Sequence, residues 1–100
     1  MRFSFRTKKL RELYTEERGA HKYPSGVVDA FFEVMAVIDA ACEENDLRSW
    51  KSWHYEKLRG ERGKRKERSI RLTGRWRLVF TIERDGTGKF LHLLEIVDYH

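Results

Sequence analysis

From Ser69 to Ile82 the chain alternates apolar and polar side chains on either side of a single glycine. No other feature constrains the fold as tightly. Ser69-Ile70-Arg71-Leu72-Thr73, then Gly74, then Arg75-Trp76-Arg77-Leu78-Val79-Phe80-Thr81-Ile82 reads as strands joined by a tight turn. The period of a strand places Ile70, Leu72, Trp76, Leu78, Phe80 and Ile82 on one face and Arg71, Arg75 and Arg77 on the other. Such an apolar face needs a covering layer, and the first half of the chain supplies it. Val27, Phe31, Val34, Met35, Ile38, Ala41 and Cys42 recur at helical spacing, with Asp29, Glu33 and Asp39 on the outer side. Met35 and Cys42 lie on this stripe and are expected in the core. Tyr23-Pro24-Ser25-Gly26 is the turn before this helix, with Ser25 or Gly26 near its N-cap.

An earlier helix is expected behind a Thr7 cap, with Leu10, Leu13 and Tyr14 inward, up to Gly19, and Phe3-Ser4-Phe5 suits a short edge strand. Gly60 and Gly63 flank charged residues and read as turn formers, and Gly63-Lys64-Arg65-Lys66-Glu67 reads as a basic loop. Asp85-Gly86-Thr87-Gly88 marks a hairpin, and Phe90 to Tyr99 makes the last strand. The predicted architecture is a single α+β domain over residues 1–100. Two N-terminal helices pack on one face of a small, mainly antiparallel twisted sheet, and the opposite, basic face stays open.

Charge gives that face a purpose. The chain carries a net +5, yet residues 59–77 alone hold nine cations against two anions. This is a partner-facing concentration, most simply for a polyanion. Other classes lack support. No run of 18 apolar residues exists, so no membrane span is expected, and the N-terminus lacks the apolar core of a signal peptide. A lone Cys42 cannot form an internal disulfide, which suits a reduced, cytoplasmic protein. His21, His54, His92, His100 and Cys42 show no metal-binding spacing, so neither metal nor cofactor is expected. No phosphate-cradling glycine motif and no serine-hydrolase motif is present.

The C-terminal Asp98-Tyr99-His100 brings titratable groups to the end of a strand that Leu91, Leu93, Leu94, Ile96 and Val97 tie into the sheet. Beside an arginine-lined surface this set suits RNA cleavage without a metal. Arginines neutralise the scissile phosphate and an imidazole moves a proton. The nucleophile comes from the substrate, because RNA carries its own 2′-OH.

Three blocks carry a family resemblance. Glu56-Lys57-Leu58-Arg59-Gly60-Glu61-Arg62, Arg68-Ser69-Ile70-Arg71-Leu72-Thr73-Gly74-Arg75-Trp76-Arg77-Leu78-Val79-Phe80 and Glu95-Ile96-Val97-Asp98-Tyr99-His100 resemble, in order and nearly in spacing, the LKGDR, WSIRVNxxWRICF and VDYH blocks of one toxin branch, with the basic loop longer here. That branch is the HigB, or killer-protein, branch of the RelE/ParE toxin superfamily. The resemblance spans essentially the whole chain. It implies a type II toxin acting as a ribosome-dependent mRNA endonuclease, with a cognate HigA-like helix-turn-helix antitoxin and mRNA on the ribosome as partners.

Carried over by position, Arg59 and Arg77 contact phosphate, and His100 is the general acid or base. Tyr99 orients or stacks on a base, and Asp98 fixes His100 or shares in proton transfer. Arg71 and Arg75, by charge alone, contact RNA backbone, as do Arg62, Lys64, Arg65 and Lys66 around the basic loop. Some members carry histidine three positions before the Arg59 equivalent, where this chain has Glu56. His54 lies two residues earlier, and on a strand that shift keeps it on the same face, so it is a further candidate. Two other functions fit the same charge: a ParE-like DNA gyrase inhibitor and a basic nucleic-acid-binding module.

Overall fold

The computed structural model describes residues 1–49 and 53–98. Its elements run β1 (Phe3–Phe5), α1 (Lys8–Glu16), a 3-10 turn (Ala20–Lys22), α2 (Val27–Ala40), α3 (Glu44–Arg48), β2 (Glu56–Lys57), α4 (Gly60–Lys64), β3 (Arg68–Thr73), β4 (Trp76–Asp85) and β5 (Gly88–Asp98). The alternating segment folds as the β3–β4 hairpin, with Thr73 opposite Trp76 and Gly74 at φ 57° in the turn. The five-stranded sheet has the order β1-β5-β4-β3-β2, with β1 parallel to β5 and the other pairs antiparallel. This is the expected α+β arrangement with a mainly antiparallel sheet.

One sheet face and the helices close the main core. Leu10 and Leu13 of α1, and Phe31, Val34, Met35 and Ile38 of α2, meet Ile70, Leu78, Phe80, Leu91 and Leu93. Each such large apolar side chain contributes about 1.5–3 kcal/mol when fully buried. Leu72, Ile82 and Ile96 extend the same surface at its rim, and Trp76 meets Tyr23 edge-on at 5.8 Å. Thr7 caps α1 as expected, its Oγ1 accepting from the Leu10 N–H at 3.2 Å. Gly26 is the N-cap residue of α2, at φ 89°.

Cys42 is not in the core; it is exposed. Helix α2 stops at Ala40, and Ala41 turns to extended backbone at ψ 146°. The helical spacing that would have carried Cys42 inward is therefore broken before it is reached. The segment from Gly60, read as turn and loop, opens with the short helix α4, and α3 is a further turn of helix that the periodicity did not reveal. Helix α3 is closed by a capping box between Glu43 and Asp46, an unusual choice of cap residue. Gly63 is there for close approach. A Cβ on it would sit 2.6 Å from the Leu58 carbonyl oxygen.

The sheet face away from the helices is only partly open. β5 changes register between its Leu93–Phe80 and Glu95–Val79 pairs, so Leu94 is an extra residue in that strand. Leu94 packs with Leu58, Val79 and Val97 in a small second cluster. Leu93 and Leu94 are both buried because they face opposite sides of the sheet, Leu93 into the main core and Leu94 into this second cluster. Arg62 of α4 reaches Glu67 at 2.7 Å and Glu95 at 3.2 Å, pinning that helix to the sheet. Beyond this cover lies the part of the face that carries Arg71 and Arg77.

Candidate active site

Arg71 and Arg77 lie directly opposite each other in the β3–β4 ladder. Like charges in that position destabilise a sheet, so the surroundings must compensate. For Arg77 they do so with several groups. Its Nε donates to the Ser69 hydroxyl at 2.6 Å and its Nη2 donates to the His54 carbonyl. Nη2 also lies 3.7 Å from a Glu56 carboxylate oxygen. Ser69 is fully buried and the Arg77 side chain is 12% exposed, so this guanidinium is held in place. Arg71 is more accessible. Its Nε donates to the Gly74 carbonyl at 3.1 Å, and its Nη1 lies 3.5 Å from His54 Nε2.

His54 has φ 47°, a left-handed conformation that costs a non-glycine residue of order 1–3 kcal/mol. That backbone turns its carbonyl onto Arg77 while its ring stands beside Arg71. Of the sequence candidates, His54, Arg71 and Arg77 are thus brought together, with Ser69 and Glu56 beneath and beside them.

The other candidates are distributed around this centre. Arg59 is exposed at the N-cap of α4 and makes no ion pair with a described residue. Arg75, in the hairpin turn, has Nε 3.6 Å from Asp98 Oδ1. Asp98 is paired opposite Trp76 while Val97 is opposite Arg77. Cross-strand partners share a face, so Asp98 starts from the helix side and Arg77 from the other. Tyr99 and His100 lie outside the described residues.

The basic loop splits by role. Arg62 and Arg65 are engaged by Glu67, the latter at 2.6 Å, whereas among the described residues Lys64 pairs only with the exposed Glu61 at 3.3 Å, and Lys66 is exposed. Burial pushes the Glu67 carboxyl upward, but its hydrogen bonds and charge contacts with Arg65 and Arg62 outweigh that and hold it below the usual carboxylate range. A parallel network lies on the helix side. Glu44 bonds Tyr55, Arg48 and Arg68. Burial raises its pKa, but these three partners together bring it below the ordinary value.

A cavity of about 850 Å³ lies at the other end of β4 and β5, lined by Arg2, Cys42, Glu44, Arg48, Arg84 and Lys89 among others. None of the Arg71–Arg77 groups touches it. Among the described residues the site is a cationic patch on the sheet face, with the Arg71 side chain the more accessible and that of Arg77 12% exposed. Among the described residues no group of three or more His, Cys, Asp and Glu side chains is placed to hold a metal ion. No described helix is long and apolar enough to cross a membrane.

Residues 3–100 match the family described as RelE-like toxin of type II toxin-antitoxin system HigB. The chain belongs to the HigB-like toxin family. Toxin HigB-1 of Vibrio cholerae serotype O1 is 31% identical over 80 residues, covering 80% of this chain and 82% of that protein. A solved YoeB/ParE toxin from Agrobacterium tumefaciens superposes with a TM-score of 0.59 at 16% identity, covering 100% of this chain and 99% of the other. That likeness extends the fold assignment to the RelE/ParE architecture. As a type II toxin, this HigB-like protein has a cognate antitoxin as partner.

Two site groups of this HigB-like toxin escaped the sequence reading. In the sequence Ser69 stands out only as part of a strand, and Glu56 only as a departure from the family pattern. Alternation already placed Ser69 on the face of Arg71. What it lacked was the hairpin register that sets Arg77 beside both.

Proposed function

We propose that this toxin is a ribosome-dependent mRNA endonuclease that needs no metal. The Arg71–Arg77 pair facing across the β3–β4 ladder supports the reading most directly. A sheet keeps two facing guanidiniums at a cost, and an anion between or above them removes that cost. In this mechanism the substrate 2′-OH attacks the adjacent phosphorus and the P–O5′ bond breaks. The products are a 2′,3′-cyclic phosphate and a 5′-OH. Arg77, held by Ser69 and the His54 carbonyl, stabilises the charge gathering on the phosphoryl oxygens. Arg59 adds a second phosphate contact.

His100 moves the proton, donating to the departing 5′-oxygen or accepting from the 2′-OH, and Tyr99 orients or stacks on a base. Asp98 acts on His100, and the His54 ring serves the same phosphate from the Arg71 side. Arg75, Lys64 and Lys66 extend the backbone contact. Arg62 and Arg65 add field while remaining bound to Glu67. The antitoxin is a HigA-like helix-turn-helix protein, and the setting is the cytoplasm.

Mapping of transcript ends after brief induction tests this, with wild type beside His100→Ala. New ends within coding sequence for wild type, and their loss in the variant, are expected. Intact transcripts with DNA damage would favour gyrase inhibition. Full cutting by the variant would remove His100 from the mechanism.

A further inference from the structure

We propose that Ser69 is a positioning residue for Arg77, fixing the rotation of its guanidinium toward the scissile phosphate. This rests on the endonuclease reading of the site. A guanidinium has donors on three nitrogens in one plane. In Arg77, Nε is taken by the Ser69 hydroxyl at 2.6 Å and Nη2 by the His54 carbonyl, with Glu56 at 3.7 Å. Among the described residues Nη1 has no partner. Two anchors on one edge of a planar group fix both its position and its rotation, and leave the Nη1 corner for a ligand.

The two anchors differ. The His54 carbonyl sits on an irregular segment held at φ 47°. Ser69 sits within β3, paired with Glu56 of β2 and with Val79 of β4, and is fully buried. The rigid anchor is therefore Ser69. Its residue type is also what the location requires. A buried serine with no polar task would be replaceable by alanine, whereas removing this hydroxyl leaves a mostly buried, charged N–H unpaired. Arg77 would then pivot about Nη2, still held by the His54 carbonyl with Glu56 nearby. A misplacement of about 1 Å at a group that must meet a transition state costs of order 100-fold in rate.

The test uses Ser69→Ala and Ser69→Thr, with a readout that does not depend on catalysis. In wild type, the Arg77 Nε–H is expected to give a resolved ¹⁵N signal protected from solvent exchange. Ser69→Ala should lose that protection, and Ser69→Thr, which keeps the hydroxyl, should retain it. Persistence of the signal in Ser69→Ala overturns the proposal whether or not the protein cuts RNA.

Cleavage of programmed ribosomes in a single turnover supplies the second arm. Ser69→Ala should slow the step roughly 10–100-fold with ribosome affinity unchanged. In an Arg77→Ala background the same substitution should change the rate less than twofold. Equal losses in both backgrounds would make Ser69 a purely structural residue and overturn the proposal. Altered protection in a protein that cleaves nothing would retain the anchor and reject the endonuclease reading.

Discussion

Replacing Glu67 with glutamine removes one charge from the network that fastens α4 to the sheet and leaves its shape almost unchanged. Glu67 is 3% exposed, with Oε1 2.7 Å from Arg62 and Oε2 2.6 Å from Arg65. In Glu67→Gln an amide N–H₂ must replace one of these acceptors, so a donor faces a guanidinium. Breaking a buried ion pair costs about 3–5 kcal/mol, and an exposed one contributes about 0–1 kcal/mol. The Arg62 side chain is 25% exposed and that of Arg65 is 57% exposed. These exposures place the expected loss between the limits, at about 2–3 kcal/mol. In a domain of this size that lowers Tm by roughly 10–20 °C.

The pH dependence adds a second signature. Burial works against the Glu67 charge, but Arg65 and Arg62 prevail and its folded pKa is lowered. Its stabilisation is therefore fully present above the unfolded value, at about 4.3, and is lost as pH falls through the lower folded value. The gap between wild type and variant should be widest near neutrality and shrink on acidification. Thermal melts at pH 7 and below pH 3 measure both effects. A variant melting within 2 °C of wild type at pH 7, or a gap that does not shrink in acid, would refute the reasoning.

Two further substitutions probe local structure. Thr7→Ala removes the α1 cap and should cost about 1 kcal/mol, seen in denaturant melts, with cleavage unaffected. Gly63→Ala puts a methyl group 2.6 Å from the Leu58 carbonyl and must displace α4, at about 1–3 kcal/mol.

The parts of the fold legible in the sequence were those governed by periodicity. Strict alternation through Ile70, Leu72, Trp76, Leu78 and Phe80 set the hairpin and its inner face, and the Val27–Ile38 stripe set the main helix. Where periodicity ends, the reading failed. Cys42 fits the α2 stripe by spacing, but the helix terminates two residues earlier, so the thiol is exposed. Helices α3 and α4 span five residues each, too few for a repeating pattern. Charge density marks the basic segment, but it could not show that Arg62 and Arg65 are engaged by one buried carboxylate. The pairing of Arg71 with Arg77 was implicit in the alternation and needed only the turn length. The His54 carbonyl depends on a positive φ that no residue type announces. Tyr99 and His100, prominent in the sequence, lie outside the described residues.

The most direct test of the central claim is the chemistry of the cut. A message carrying a single 2′-deoxynucleotide on the 5′ side of the scissile bond should survive on ribosomes that cleave its all-ribose counterpart. The ribose message should yield a 2′,3′-cyclic phosphate and a 5′-OH. Cleavage of the deoxy-substituted message, leaving a 5′-phosphate, would contradict an arginine-held phosphate attacked by its own neighbouring hydroxyl.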